Sequence, residues 1–158
     1  MHPVDVPGLD AKEARNRALA WLARREYGRQ ELIRKLVQRG CAEEAATRIV
    51  AALAAEGSVS DERFIEALLH VRRARGYGPL YIRRELEEKG IDRPSIERWL
   101  DADSRDWLED ARRVSKKKFG GKQPASLAER AKQTRFLQYR GFTHEQIRRA
   151  LGSGGVDD

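Results

Sequence analysis

The residues best suited to chemistry in this chain are clustered arginines and lysines. The densest group lies in "ARRVSKKKFG", where Arg112, Arg113, Lys116, Lys117 and Lys118 fall within seven positions. Side chains four apart share a helix face, so Arg112 and Lys116 form one row and Arg113 and Lys117 an adjoining one. Such cations bind carboxylates or phosphates through charge-assisted hydrogen bonds. The group therefore predicts an anionic partner, with ordinary solvation of a basic surface as the alternative.

Other basic residues extend this candidate surface. Arg72, Arg73 and Arg75 crowd the end of a predicted helix, where cations also compensate the helix dipole, so a purely structural role is an alternative for them. The candidate contact residues for a protein partner or DNA are Arg72, Arg73, Arg75, Arg83, Arg84, Arg112, Arg113, Lys116, Lys117, Lys118, Lys122, Arg135 and Arg140.

The positive charge is unevenly distributed along the chain. The net charge is +7, but residues 1–103 carry 19 Lys and Arg against 18 Asp and Glu, whereas residues 104–158 carry 13 against 7. The last third therefore holds nearly all of the excess. Such a field favours association with nucleic acid or with an acidic protein groove, although it says nothing about the fold.

No arrangement of residues typical of catalysis is present. The histidines His2, His70 and His144 lack the spacing of metal ligands, and no phosphate-binding glycine loop follows a predicted strand. Cys41 follows a helix-closing glycine and has no histidine partner recognisable from sequence. We therefore expect no catalytic, cofactor-binding or metal-binding residues, and the chain is not expected to be an enzyme.

The composition predicts a cytoplasmic protein. A lone cysteine cannot form an internal disulfide. No apolar run approaches the roughly 20 residues of a membrane span, and the N-terminal segment has no apolar core of a signal peptide.

The elements that must position the cations follow from an internal repeat. The segments "LVQRG", "LEEKG" and "LQYRG" end at Gly40, Gly90 and Gly141, with spacings of 50 and 51 residues. Each glycine follows a segment of helical periodicity that ends in a basic residue. Glycine accepts the left-handed conformation that closes a helix, and the cation suits the negative end of the helix dipole. Each copy therefore contains a helix, a tight turn and a second helix.

A further amphipathic segment precedes each pair, so the chain is predicted to be all-α, with nine main helices, three in each copy. We expect an elongated, curved tandem array of three three-helix modules that resemble the helix-turn-helix, because one such unit is too small to be stable alone. The expected divisions are an N-terminal tail at 1–13, modules at 14–58, 59–103 and 104–152, and a C-terminal tail at 153–158.

Capping residues and aromatic side chains refine this prediction. Predicted N-caps are Ser60, Asp92, Ser126 and Thr143, whereas Ala42 is a poor cap. Core positions are expected for Tyr27, Trp21, Trp99 and Trp107, and exposed positions for Tyr81 and Tyr139.

These residues resemble the RecX family. "REYGRQELIRKLVQRG", "EGSVSDERF" and "RRARGYGPLYIRRELEEKG" are similar to its first and second repeats, and "FLQYRGFTHEQIRRAL" to the end of its third. The similarity runs from about Ala18 to Leu151. Tyr81 departs from the family pattern where a basic residue is frequent, and Gly28 replaces a frequent serine.

The resemblance implies a modulator of the recombinase RecA, with a place in recombination, DNA repair and the SOS response. Members bind the groove of RecA filaments on single-stranded DNA and suppress ATP hydrolysis, strand exchange and coprotease activity. They need no cofactor. The resemblance leaves open whether single-stranded or duplex DNA is contacted directly, and we expect a monomer that does not bind membranes.

Two other functions remain open from sequence. A stand-alone helix-turn-helix protein would place the last helix of a module in the major groove of DNA. The starts "AEEAATR" and "DRPSIER" are acidic or apolar and argue against base contacts in two copies, whereas "THEQIRR" is more permissive. A purely structural scaffold is disfavoured by the uneven charge.

Overall fold

The computed structural model describes residues 8–152, and within them every regular element is an α-helix. The predicted tail at 153–158 and the first seven residues of the predicted tail at 1–13 lie outside the described residues. The helices are α1 Ala11–Leu22, α2 Arg29–Gln38, α3 Glu43–Ala55, α4 Asp61–Ala74, α5 Pro79–Glu88, α6 Arg93–Trp99, α7 Arg105–Phe119, α8 Leu127–Tyr139 and α9 His144–Leu151. The all-α prediction with three helices per copy is confirmed for this part of the chain.

The helix ends use the predicted chemistry. The Thr143 hydroxyl accepts a hydrogen bond from the Gln146 N–H, and the Gln146 side chain accepts one from the Thr143 N–H, which forms the predicted capping box. Asp92 accepts from the Ser95 N–H at 2.8 Å. Ala42 caps α3 without a side-chain bond. α1 begins at Ala11, inside the segment predicted as a tail, because Asp10 and Glu13 form a further capping box.

Contacts divide the described chain into two compact units. One contains the residues up to Ala67 together with Glu87–Ser95, and the other contains Leu68–Leu86 and the residues from Ile96 onward. The second copy of the repeat therefore contributes residues to both units. Helices α1, α2 and α3 contact one another in the first unit, and α7, α8 and α9 contact one another in the second. None of the helices in residues 8–152 has the length and apolar character to cross a membrane.

The first unit has a small core. The buried residues of its hydrophobic cluster are Ala14, Ala18, Tyr27, Leu32, Leu36, Cys41, Ala46, Val50, Leu53 and Val59. Cys41 is 3 % exposed, and burial raises the pKa of its thiol. A protonated, buried thiol packs as a small apolar side chain, which favours a structural role for it.

The repeat glycines close helices and also allow close approach. All three have positive φ, +102° at Gly40, +82° at Gly90 and +93° at Gly141. In the first unit, a Cβ at Gly90 would lie 2.7 Å from the Cβ of Gln30 in α2. In the second, a Cβ at Gly141 would lie 2.5 Å from the backbone nitrogen of Tyr81 in α5. Each contact joins a glycine turn to the middle helix of the preceding copy.

Backbone hydrogen bonds reinforce the second of these contacts. The Gly78 N–H donates to the Arg140 carbonyl at 2.6 Å, and the Leu80 N–H donates to the Gly141 carbonyl at 2.8 Å. The first N–H groups of a helix have no partner within the helix. The glycine turn of the third copy therefore satisfies the N-terminus of α5.

We predict that Gly141→Ala destabilises the protein by about 2–4 kcal/mol, because it combines an unfavourable positive φ with a clash against Tyr81. Gly57→Ala is the matched control, since Gly57 has φ +81° and no other part of residues 8–152 comes within 4 Å of the position that a Cβ would occupy. It should cost only about 1 kcal/mol, from the backbone conformation alone. Urea unfolding measures both. Equal losses would contradict a role for the close approach.

An ion-pair network in the first unit makes its stability sensitive to acid. The Glu31 carboxylate accepts hydrogen bonds from Arg25 at 2.6 Å and from Lys89 at 3.0 Å. Burial alone would raise the pKa of Glu31, but the hydrogen bonds and positive charges of Arg25 and Lys89 together outweigh it, so the pKa lies below the ordinary value of 4.5. A carboxyl whose pKa is lower when folded stabilises the fold above the unfolded pKa. That contribution is lost as the pH falls through the folded pKa.

We therefore predict that Glu31→Gln lowers the free energy of unfolding at pH 7 by about 1 kcal/mol. The difference from wild type should shrink as the pH falls below 4.5. Urea unfolding between pH 3 and pH 7 measures it (the pH limits are roughly those of carboxyl titration). Glu66→Gln, at an exposed position in α4, is the control and should match wild type throughout. A pH-independent deficit in Glu31→Gln would exclude the ion pairs as its cause.

Candidate anion-binding surface

The densest basic group lies on α7, whose ends are well defined. Ser104 caps its start by accepting from the Asp106 N–H, and Gly120 ends it with φ +77°. The inner face buries Trp107, Leu108, Ala111 and Val114. This amphipathic pattern leaves the five cations of the group exposed on the outer part of the helix.

The two predicted rows on α7 line two different clefts of the second unit. Arg113 and Lys117 line a cleft of about 490 Å³. Arg112 and Lys116 line one of about 180 Å³, together with Lys122. The two rows that the i, i+4 spacing predicts on different faces of α7 therefore also lie in different clefts.

The larger cleft gathers basic residues that lie in or directly after three helices. Arg73 lies in the last turn of α4 and Arg75 directly after that helix. Helix α7 contributes Arg113, Lys117 and Lys118, and Arg140 directly follows α8. Within residues 8–152, no aspartate or glutamate lines this cleft. Residues that are up to 67 positions apart in sequence thus form one positively charged concavity.

A buried carboxylate holds two of these arginines. Asp110 is 3 % exposed. It accepts from Arg73 through both oxygens, at 2.7 and 3.2 Å, and from Arg113 at 2.9 Å. The Arg73 guanidinium also lies 4.7 Å from the centroid of the Trp107 ring. The hydrogen bond with Asp110 raises the pKa of Arg73, so its charge is permanent.

Ion pairs also engage two other candidate residues. Arg72 makes two hydrogen bonds of 2.7 Å to Glu85, and the first cause of its raised pKa is this pairing. Arg83 pairs with Glu97 at 3.1 Å. The alternative that Arg72 and Arg73 only compensate the dipole of α4 is therefore incomplete, because both pair with carboxylates from other segments.

The remaining candidates form no ion pair with a carboxylate of residues 8–152. Arg140 donates to the Arg75 carbonyl at 2.7 Å and lies against the Tyr77 and Phe136 rings. Within residues 8–152, the candidates without an ion pair are Arg75, Arg84, Arg112, Lys116, Lys117, Lys118, Lys122, Arg135 and Arg140. Most of them therefore lie on α7, in the loop that follows it, or along the larger cleft.

The aromatic predictions hold at four of six positions, since Trp99 is exposed and Trp21 is only partly buried, packed against the hydrophobic cluster of the first unit. Tyr27 and Trp107 are each 4 % exposed, as predicted for core residues. Tyr81 and Tyr139 are exposed, at 39 % and 83 %. Trp99 is 38 % exposed, so its prediction as a core residue is wrong. It is the last residue of the seven-residue helix α6, and Leu100 beside it takes the buried position.

The described residues offer no group of three or more His, Cys, Asp or Glu side chains able to hold a metal. His70 and His144 are exposed. What the surface can do chemically is bind anions by charge-assisted hydrogen bonds.

Sequence reasoning missed two features of this surface. The pattern of charges does not single out Asp110, although its i, i+3 relation to Arg113 is visible in the sequence. The participation of Gly76 and Phe136 in the larger cleft has no local signal, because each is brought there by tertiary contacts.

Comparisons with known proteins identify the family. Three protein-family models match, described as the first, second and third three-helix domains of RecX, at residues 14–53, 60–100 and 105–151. The regulatory protein RecX of Pseudomonas fluorescens is 44% identical over 144 residues, which cover 91% of this chain and 93% of that protein. The regulatory protein RecX of Pseudomonas putida is also 44% identical, with 91% and 92% covered.

Solved structures agree on the fold. The crystal structure of RecX from Lactobacillus salivarius has a TM-score of 0.75 at 20% identity and covers 89% of this chain and 94% of that one. A second crystal structure, of a regulatory protein RecX, has a TM-score of 0.74 at 19% identity, with 89% and 72% covered. With all three domain models matched in order and 44% identity over most of its length, the chain belongs to the RecX family of regulatory proteins.

Proposed function

We propose that this chain inhibits a RecA recombinase by binding the groove of its filament on single-stranded DNA. Bound there, it suppresses ATP hydrolysis, strand exchange and coprotease activity. It acts in the cytoplasm as a monomer, by binding alone, and needs no cofactor. Membership of the RecX family supports this proposal.

The observation that carries the proposal is the set of unneutralised cations on α7. Arg112, Lys116 and Lys117 are exposed and make no ion pair among residues 8–152. Cations on an exposed helix face stay available to carboxylates of a groove wall or to phosphates of the DNA within it. The predicted contact residues are the thirteen basic candidates named above, with those on α7 as the principal ones.

Three tandem modules also suit a partner built from repeating subunits. Contacts that are individually weak combine when one chain binds several neighbouring sites, because the second and third contacts become intramolecular. The predicted elongated and curved arrangement of the modules would let one chain reach several subunits of a filament. That arrangement stays a prediction.

Base-specific recognition of duplex DNA is less well supported. Helix α3 has Glu43 and Glu44 in its first turn, and both are exposed. Carboxylates at the start of a recognition helix repel the phosphates beside the major groove. Binding along an anionic groove does not require that helix to read bases.

We predict that changing Lys116, Lys117 and Lys118 together to Glu raises the concentration needed for half-maximal inhibition of filament ATP turnover by roughly tenfold or more, because each reversal replaces an attraction with a repulsion. The measurement is ATP hydrolysis by a RecA filament on single-stranded DNA, titrated with the variant. Wild type should inhibit at substoichiometric amounts if it acts on the filament rather than on single subunits.

The control changes Lys12, Arg17 and Arg24 to Glu, which alters the net charge equally at exposed positions in or beside α1. It should inhibit nearly as well as wild type. Absence of inhibition by wild type would exclude the proposed function. Inhibition by wild type and by a folded α7 variant at equal concentrations would exclude only the assignment of the contact to α7.

A further inference from the structure

The larger cleft of the second unit holds cations in fixed positions. Arg140 is the clearest case. Its Nη1 donates to the Arg75 carbonyl at 2.7 Å, and its guanidinium carbon lies 5.0 Å from the Tyr77 ring centroid and 5.1 Å from that of Phe136. A side chain held by a hydrogen bond and two rings loses little further freedom on binding a ligand. The cleft thus contains a preorganised positive charge.

A glycine keeps this part of the cleft open. Gly76 follows α4 with φ +89°, and its N–H donates to the Arg73 carbonyl at 3.0 Å. A Cβ there would lie 3.2 Å from the Arg140 Nη1 and 3.2 Å from a methyl group of Val114. Any side chain at this position would crowd the guanidinium that the neighbouring residues hold in place.

The cleft carries more positive charge than the carboxylates of residues 8–152 neutralise. Six basic residues line it, and Asp110 is the one carboxylate among residues 8–152 that forms ion pairs with them, through Arg73 and Arg113. One carboxylate cannot balance six cations. A ligand for this cleft must therefore bring several negative charges into a volume of about 490 Å³.

Linked phosphate groups meet this requirement better than a peptide does. Each phosphate offers several acceptor oxygens, and adjacent phosphates place their charges close together, whereas a peptide brings one carboxylate per acidic residue. Guanidinium groups also match phosphate geometry. The Phe136 ring already contacts Arg140, Lys118 at 5.4 Å and the Phe119 ring at 5.5 Å. It is therefore engaged within the protein rather than open for a nucleobase.

We propose that this cleft is a binding site for linked phosphate groups, which it recognises through the phosphates and not through a base. The ligand chemistry is shared by a free polyphosphate, the triphosphate of a nucleotide and the backbone of a single-stranded nucleic acid. The proposal concerns the isolated chain and does not rest on inhibition of a recombinase.

The test uses isothermal titration of the full-length protein with inorganic tripolyphosphate. Arg113→Ala with Lys117→Ala removes one arginine and one lysine from the cleft, while Arg73 remains to pair with Asp110. Lys12→Ala with Arg17→Ala is the matched control, since it removes the same two residue types from exposed positions of α1, outside the cleft. The cleft variant should bind roughly tenfold more weakly or worse, as expected for the loss of two charge-assisted contacts, and the control should stay close to wild type.

Circular dichroism checks that the cleft variant and the control both fold. If the cleft variant does not fold, Lys117→Ala with Lys118→Ala, which changes two exposed positions, replaces it. Equal losses in the cleft variant and the control would show a diffuse basic field and overturn the proposal. So would an absence of measurable tripolyphosphate and oligonucleotide binding by wild type.

Four further ligands test which anion the site takes. ATP should compete with tripolyphosphate whereas adenosine should not, and a fluorescent oligothymidylate should show the same dependence on the cleft residues if the site takes a nucleic acid backbone. If only the oligonucleotide competes, the site binds the backbone of a nucleic acid. If only ATP competes, the site binds a free polyphosphate chain. Stronger competition by oligoglutamate than by tripolyphosphate would contradict the proposal, because it would make the site a carboxylate site.

Discussion

The close approach of a repeat glycine to the middle helix of the preceding copy is the contact on which the described architecture depends. Gly90 faces Gln30 and Gly141 faces Tyr81 at distances that leave no room for a Cβ. The same glycines need positive φ to close their helices. Two separate physical requirements therefore fall on one residue at Gly90 and at Gly141. Gly40, in the first copy, has no preceding copy, and a Cβ there would instead lie 3.4 Å from the Cα of Gly8.

This contact also builds the larger cleft. The residue before Gly141 is Arg140, whose carbonyl accepts from the N-terminus of α5 and whose side chain donates to the Arg75 carbonyl. Fixing the glycine turn against α5 therefore fixes the guanidinium beside α4 and α7. Arg140 therefore owes its position in the cleft to a packing contact between two copies of the repeat.

The sequence was sufficient for features that depend on local spacing. Helix closure at Gly141, the Thr143 capping box and the two basic rows of α7 follow from residues at most four positions apart. It was insufficient for features that depend on distant pairs. Arg73 and Asp110 are 37 positions apart, so which arginines are neutralised could not be foreseen. The burial of Trp99 could not be predicted for a related reason. Helical periodicity does not show which of two adjacent apolar residues, Trp99 or Leu100, is buried at the end of a short helix.

The difference between paired and unpaired cations in the two units supports the proposal of an anionic ligand. In the first unit, Arg25, Lys89 and Arg63 pair with Glu31 or Glu26. On α7, most cations have no carboxylate partner within residues 8–152, although Lys116 to Lys118 gain some compensation from the negative end of their helix. Unpaired like charges so close together repel one another and destabilise the fold. An anion that binds among these cations removes this repulsion, and this is the physical reason for proposing an anionic ligand.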